Sequence, residues 1–492
     1  MLIELQSFVS FPDSIPALQS KAAWELGYES YFTQNMPIPN ALDPKIAVAI
    51  ARQVEAHFQA SRASDVTSTW NVLLLQAEAG VIAPLILTEL AQSPIFPYLQ
   101  LHLMDTRAAL VEKWAQLDQL TPDSGKMTLH SAFSLEKPIA WPVCPDMVIT
   151  DRSLSWLPCR HIQVVDGKAF DTVRRTLGSP DQSLLEFEVG KLRFIPENGY
   201  NPSEIIGIQQ LIKTMDLKEG LLNYSAAMLS LIQQVLHAMP AHGLFVCIDI
   251  GDLTLENNPN IEKLEVQRGR LNQNKLPILL LEAHLRQLGW TPQAHELSKY
   301  SLWVVQAYQG QTPPQKLSLP DSHTEQSIET LDKMTDSGRF VRQLELLEKD
   351  WLDKEEKNYV LNYRIARSLL ERNLIDKGIK YLKKNILHYG DFAATSLLLL
   401  GRIRRVYGQY EVAELILKRA QKLMGNYPPV LQELVQLYLT EHQFDHAMEA
   451  ILAMIQKGGQ SVSQQRALIE QVLNHNFTHP KRLLLEKTLE QL

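Results

Sequence analysis

At 492 residues the chain is too long for one ordinary hydrophobic core, so two or three domains are expected. Its 45% hydrophobic and 21% charged content is that of a globular protein, which excludes the disordered and fibrous classes. A net charge of −7 argues against nucleic-acid binding driven by bulk charge, and no nucleic acid is expected as a partner.

Three cysteines, Cys144, Cys159 and Cys247, are odd in number and widely spaced. They make neither a disulfide framework nor a C-x-x-C metal pair, and a reducing, cytoplasmic setting is the expectation. Met1 to Pro12 has no basic leader, and no apolar run approaches the roughly 18 residues of a membrane span. The reading is a soluble, unprocessed chain.

Residues 1–65 read as mainly helical. Asp43-Pro44 opens a helix, with apolar positions recurring at helical spacing through Val54 and Phe58. From Trp70 the texture changes to short apolar runs alternating with helical stretches. Strands are predicted at Val72–Leu75, Leu99–Met104, Met147–Ile149, Gly243–Asp249 and Leu302–Ala307. Helices are predicted at Ile82–Leu90, Ala108–Leu117 and Leu276–Leu288. Alternation of this kind implies a parallel sheet with crossovers. Gly310 to His323 is rich in Pro and Ser and lacks periodicity, so residues 310–324 read as a linker.

Beyond residue 325 the pattern is helical and repeats. Ala366, Gly401 and Val435 lie 35 and 34 residues apart; so do Gly378, Ala413 and Ala447, each 12 residues after its partner. Large apolar residues follow at Leu382, Leu417 and Ile451, and turn signals stand at Asn373, Gly408 and Glu441-His442. A period of about 34 with two small-residue slots where paired helices cross resembles the tetratricopeptide repeat. Helices over Gln326–Asp336 and Phe340–Trp351, with Leu344 in the small slot, read as a degenerate leading repeat that caps the stack. The resemblance implies an all-α superhelix over 325–492 that holds a protein partner. Arg402, Arg404, Arg405, Lys418, Arg419 and Lys422 make one repeat basic. Arg402, Arg405 and Arg419 are the partner-binding candidates for an acidic tail; the competing reading is a solvated face on an acidic protein.

The α/β part carries a second resemblance. Strand one, Asn71 to Leu75, runs into Gln76-Ala77-Glu78-Ala79-Gly80. Strand two ends in Met104-Asp105, followed by Arg107-Ala108-Ala109-Leu110. Later come Asp151-Arg152, Leu157-Pro158 and the Gly243–Asp249 strand with Gly251. In order and spacing these positions resemble the MidA family of class I methyltransferases. That family has an acid and three glycines at the first turn; here Leu74, Gln76 and Glu78 stand at the acid and first two glycine positions, and Gly80 is kept. Arg107 falls where the family has Ser, and Asp151-Arg152 where it has Asn-Glu.

The resemblance covers roughly residues 25–255. It implies a Rossmann-like class I methyltransferase domain over 66–309, with residues 1–65 as its helical N-terminal part. S-Adenosylmethionine would lie across the strand ends, with Gln76, Glu78, Gly80, Asp105 and Asp151 around it and Asp105 holding the ribose hydroxyls. Each residue has a plainer reading as well: Asp105 as a cap of the following helix, Gly80 as a helix start, Asp249 as a turn former.

There is no G-x-S-x-G elbow, P-loop, H-E-x-x-H or metal-spaced cluster, and the scattered histidines read as surface or packing residues. Two functions follow from the resemblances. One is an S-adenosylmethionine-dependent methyltransferase acting on a protein, in this family an arginine, with the repeats recruiting the substrate for assembly of a larger complex. The other is a catalytically inactive scaffold that keeps the fold and works by protein–protein interaction.

Overall fold

In the computed structural model of the chain, the described residues are 3–10, 44–61, 69–75, 82–115, 125–135, 137–151, 154, 157, 159–178, 184–194, 202–252, 266–267, 276–298, 302–310, 313–319, 330–331, 333–334, 336–348, 358–457, 462–474, 482, 486–487 and 489. The chain divides into two compact units, whose main bodies are Lys45–Pro320 and Asp321–Leu492.

The first unit starts with strand β1 (Ile3–Ser10), α1 (Pro44–Ser61), β2 (Trp70–Leu75), α2 (Ile82–Leu90) and β3 (Leu99–Met104). There follow α3 (Ala108–Trp114), β4 (Met127–Leu129), β5 (Met147–Asp151), β6 (Arg160–Val165), β7 (Lys168–Gly178) and β8 (Leu184–Phe194). Next come α4 (Pro202–Thr214), β9 (Gly220–Tyr224), α5 (Ala226–Ala238), β10 (Leu244–Asp252), β11 (Val266–Gln267) and β12 (Leu276–Pro277). It ends with α6 (Ile278–Gln287), β13 (Thr291–Ser298) and β14 (Leu302–Tyr308).

The main sheet has the spatial order β13-β14-β10-β5-β2-β3-β4, with short β12 beside β10. Strands β10, β5, β2, β3 and β4 pair in parallel, β14 is antiparallel to β10, and β13 is antiparallel to β14. Counted along the chain and leaving β12 aside, the order is third, second, first, fourth, fifth, seventh, sixth, with the seventh reversed. That is a doubly wound sheet with a reversed strand placed before its last, the arrangement of a methyltransferase-like α/β domain. The apolar runs explain it. Val72, Leu73, Leu74 and Leu75 are all fully buried, as are Leu101, Leu103, Met147 and Val148, because crossover helices cover both faces of parallel strands.

A second, antiparallel sheet has the order β11-β8-β7-β6-β9, with β1 added on β7. It shares a core with the main sheet: Leu73, Val148, Phe245 and Val305 cluster with Leu231 and Val235 of α5, Leu281 of α6, and Ile162, Val164 and Leu222 of the second sheet. Within residues 1–65, expected to be mainly helical, Pro44–Ser61 is a helix, and Ile3–Ser10 is a strand that the expectation did not include. The alternation Ile3-Glu4-Leu5-Gln6 is its signal. The predicted linker is also shorter than expected. Gln306 Nε2 donates to the Gln315 carbonyl, its Oε1 accepts from the Leu317 amide, and His295 Nε2 bonds to the Leu317 carbonyl at 2.7 Å. With Leu317 buried, residues 313–319 are fastened to β13 and β14.

The second unit is helical: α7 (Ser337–Leu347), α8 (Tyr359–Glu371), α9 (Ile375–Tyr389), α10 (Ala394–Val406), α11 (Tyr410–Met424), α12 (Pro428–Thr440), α13 (Phe444–Lys457) and α14 (Val462–Leu473). The sequence reading ended a helix at Asp336; instead its carboxylate accepts from the Arg339 amide and caps the start of α7.

Helices α8–α9, α10–α11 and α12–α13 form three successive hairpins. Each hairpin turn is closed in the same way. Asn373, Gly408 and His442 take left-handed φ of 60°, 70° and 59°. The next amide in each case, from Leu374, Gln409 or Gln443, reaches back to the carbonyl of Leu369, Arg404 or Tyr438 at 2.8–2.9 Å. This double-bonded helix end tolerates Asn or His where Gly is otherwise usual.

Within the hairpins Ala366, Ala413, Val435 and Ala447 are fully buried, and Leu382, Leu417 and Ile451 stack behind them. A Cβ placed on Gly401 would come within 2.7 Å of the Leu417 side chain, whereas one on Gly207 in α4 would meet nothing within 4 Å. Opposite outcomes follow for the same change in two helices. Gly401→Ala should destabilise by about 1–3 kcal/mol through overpacking. Gly207→Ala should stabilise by roughly 0.5–1 kcal/mol through helix propensity alone. Denaturant unfolding of the full chain, followed by circular dichroism, reads both.

Candidate functional site

The carboxyl ends of parallel strands are where an open α/β sheet places its ligands. In this chain β2, β3, β5 and β10 end there at Leu75, Met104, Asp151 and Asp252. The register sets Leu75 beside Met104 and Asp151 beside Ile248, so Asp105, Asp151 and Asp249 stand along one edge. All three are buried. Asp151 and Asp249 both have polar partners. Asp249 forms no turn, contrary to the plainer sequence reading; it lies inside β10, across from Trp303 of β14. Beside it, burial and then the Asp249 charge push the Cys247 thiol up, so it stays protonated and is no nucleophile.

Asp105 accepts three hydrogen bonds from within the chain, all from Arg107. The Arg107 Nε donates to Oδ1 and its Nη2 to Oδ2, both at 2.7 Å, and the Arg107 amide donates to Oδ1 at 2.8 Å. The acid is 0% exposed and the arginine side chain 2%. The cause is local. After β3 ends the chain turns at Thr106, and the Arg107 carbonyl accepts from Val111 to begin α3. Two residues of separation then let the guanidinium fork fold back on the carboxylate. The alternative reading of Asp105 as a cap of the following helix is met only in part: its Oδ1 accepts from the Arg107 amide, one residue before α3 begins.

A ribose diol does not fit Asp105 in this arrangement. It would bring two donors and no counter-charge against three donors and a charge already in place. Taking the counter-charge from a buried pair costs about 3–5 kcal/mol. A hydrogen bond to a charged group contributes only about 1.5–3 kcal/mol. Gln76, Glu78 and Gly80 lie outside the described residues, as do Arg152 and Pro158. Among the described residues no group of three His, Cys, Asp or Glu side chains could hold a metal ion. A surface depression of about 630 Å³ exists elsewhere, lined by Asp166, Gly167, Gln209, Ile212, Lys213, Asp216, Leu217 and Lys218, and holds none of these residues.

The amino ends of β2, β5 and β10, together with His102 inside β3 and His130 just after β4, carry a cluster that the sequence reading passed over as scattered histidines. Asp146 Oδ2 accepts from the Asn71 amide, and its Oδ1 lies 3.0 Å from His242 Nε2. Asn71 Oδ1 meets His102 Nε2 at 3.1 Å, and His102 Nδ1 meets His130 Nε2 at 3.0 Å. Trp70 packs edge-on to His57 and stacks on His242. These residues are scattered from position 57 to position 242, so no local motif announces them.

In the second unit the proposed partner-binding arginines are tied to neighbouring helices. Arg405 bonds to Glu433 at 2.9 Å, Arg402 lies 3.5 Å from the same carboxylate, and Arg419 bonds to Asp391 at 2.6 Å. Lys422 shares Asp391, and Lys418 pairs with Glu414. Burial by itself raises the Asp391 carboxyl, but hydrogen bonds from Arg419 and Lys422 outweigh it and hold it below the ordinary value. The basic stretch is thus largely neutralised inside the array.

No family model matches the chain, and no curated protein sequence matches it. Solved structures do. An uncharacterized protein of the MidA-like ACR superfamily from Burkholderia thailandensis aligns with TM-score 0.41 and 13% identity, over 62% of this chain and 88% of that one. A member of the same superfamily from that organism, bound to S-adenosyl-homocysteine, aligns with TM-score 0.37 and 15% identity, over 58% and 73%. The mitomycin 7-O-methyltransferase aligns with TM-score 0.28 and 10% identity, over 54% of each chain. The sheet order, not these distant similarities, carries the reading of the fold.

The histidine cluster has a measurable consequence. Burial, with His242 as the second cause, lowers His57 from 6.5 to about 4, and burial with His130 lowers His102 to about 4. A depressed histidine stays neutral in the folded state while the unfolded chain takes up its proton. The stability it contributes is complete above pH 6.5 and is lost as pH falls toward 4. His57→Phe and His102→Gln should each reduce the slope of unfolding free energy near pH 5 by about 1 kcal/mol per pH unit. Burial also lowers His130, His284 and His295, so the slope shrinks without vanishing. Denaturant titrations between pH 7 and 5 make the comparison.

Proposed function

We propose that the chain works by holding a protein partner, with a tetratricopeptide-like array over residues 325–492 making the capture and the methyltransferase-like domain serving as a cofactor-free body of an assembly factor. The observation that carries this reading is the threefold recurrence of one hairpin. Helices α8–α9, α10–α11 and α12–α13 each turn on a left-handed residue and each bury a small residue 12 positions after its partner slot, Gly378, Ala413 and Ala447. Short hairpins stacked at a fixed period expose a continuous surface, and such surfaces suit extended or helical segments of other proteins. Arg402 keeps a 63% exposed side chain despite its neighbour Glu433, and Lys418 keeps 56%, so basic groups face solvent for an acidic partner.

A second reading keeps the chemistry. Transfer of a methyl group from S-adenosylmethionine to a protein arginine is favoured by the sheet order and by an acid, Asp105, at the end of the second strand. Against it stands the Arg107 fork on that acid.

One experiment separates the two. The full chain is used to capture proteins from lysate of its source cells, with methyl-labelled S-adenosylmethionine present. Wild type should retain a discrete partner without labelling it, Gly401→Arg should lose that partner, and Arg402→Gln should weaken its retention several-fold. Label incorporated into the retained protein in a chain-dependent way would establish the second reading. Retention undiminished by Gly401→Arg would remove the array from the proposal.

A further inference from the structure

We infer that Arg107 is a built-in ligand of Asp105, filling from inside the chain the places that a nucleoside diol would occupy and closing the ribose side of the site. An ionised carboxylate has about four acceptor positions on its two oxygens. Three are taken here by Arg107, two by its side chain and one by its amide. The oxygens are also out of reach, because the acid is fully buried and the guanidinium above it nearly so.

The contact is short-range and planar, and it forms through two residues of separation, between the end of β3 and the start of α3. The same contact gives the acid a structural duty: Asp105 Oδ1 holds the Arg107 amide at the point where β3 passes into α3, and the Asp105 carbonyl accepts from Phe133. A residue type that would read as a ribose acceptor has become part of a strand-to-helix latch.

The chemical uniqueness of arginine sharpens the inference. Only a planar fork reaches both oxygens at once, so lysine at 107 would keep the charge and lose the bidentate grip. Serine would lose both. The degree of closure should therefore follow the order Arg, Lys, Ser.

The test is calorimetry and thermal melting of the full chain with S-adenosyl-homocysteine at up to about millimolar concentration, a range that detects weak ligands. Wild type should show neither heat nor a melting shift. Arg107→Ser, alone or with Gln76→Gly and Glu78→Gly to clear the first turn, should gain a measurable dissociation constant, and adding Asp105→Asn should abolish the gain. Arg107→Lys, which keeps a counter-charge for the buried acid and so protects the fold, should bind at least tenfold more weakly than the serine variant. Wild-type binding that Asp105→Asn removes would overturn the inference, because the acid would then be open despite Arg107. Folded Arg107→Ser protein that binds nothing in either background would overturn it as well. Partner capture is read on the same preparations and should be unchanged by Arg107→Ser, so failure here is distinguishable from failure of the partner-holding reading.

Discussion

Parallel strands buried on both faces set the terms for the first unit. With β10, β5, β2, β3 and β4 all pointing one way, every return of the chain must cross over the sheet, and the crossovers cover both faces. That forces the central strands to be almost wholly apolar and gathers their carboxyl ends on one edge. Polar groups then concentrate at the two edges: Asp105, Asp151 and Asp249 on one, and Asn71, Asp146 and His242 on the other. The chemistry open to this domain is decided by what happens to those few buried polar groups.

At the carboxyl edge the chain satisfies its own acid. A buried carboxylate needs partners, and Arg107 supplies three hydrogen bonds at 2.7–2.8 Å. Self-satisfaction favours the fold and works against the ligand, since a group already paired in a dry site loses that pairing before it gains another. The Cys247 thiol beside Asp249 follows the same logic, with burial keeping it neutral and inert. The methyltransferase-like sheet order holds where packing maintains it, while the acid after the second strand is committed to structure.

The second unit rests on a different constraint, the close approach of paired helices. Gly378 and Gly401 sit where a Cβ would be 2.9 Å or less from a leucine of the same hairpin, and Ala413 and Ala447 are fully buried at the matching slots. Ion pairs such as Arg419 with Asp391 and Arg405 with Glu433 bridge between helices rather than along them. They set the orientation of neighbouring hairpins more than they add stability, as partly exposed pairs do.

The sequence by itself determined the elements whose pattern is local. Continuous apolar runs gave the central strands, as Leu99–Met104 shows by matching its predicted bounds, and a 35- and 34-residue offset of small side chains located the three hairpins. It missed strands that have no continuous apolar run. In β8, Phe187 and Val189 alternate with Glu186 and Glu188 along the sequence, and polar edge strand β13 has no apolar run at all. It also placed Asp105 correctly at the end of the second strand without showing what holds it. Whether an acid faces a ligand or its own chain depends on side-chain direction and burial, and these exist only once β3, α3 and their neighbours have packed. The same is true of the Asp146–His242 contact, which spans 96 residues and is made by the sheet alone.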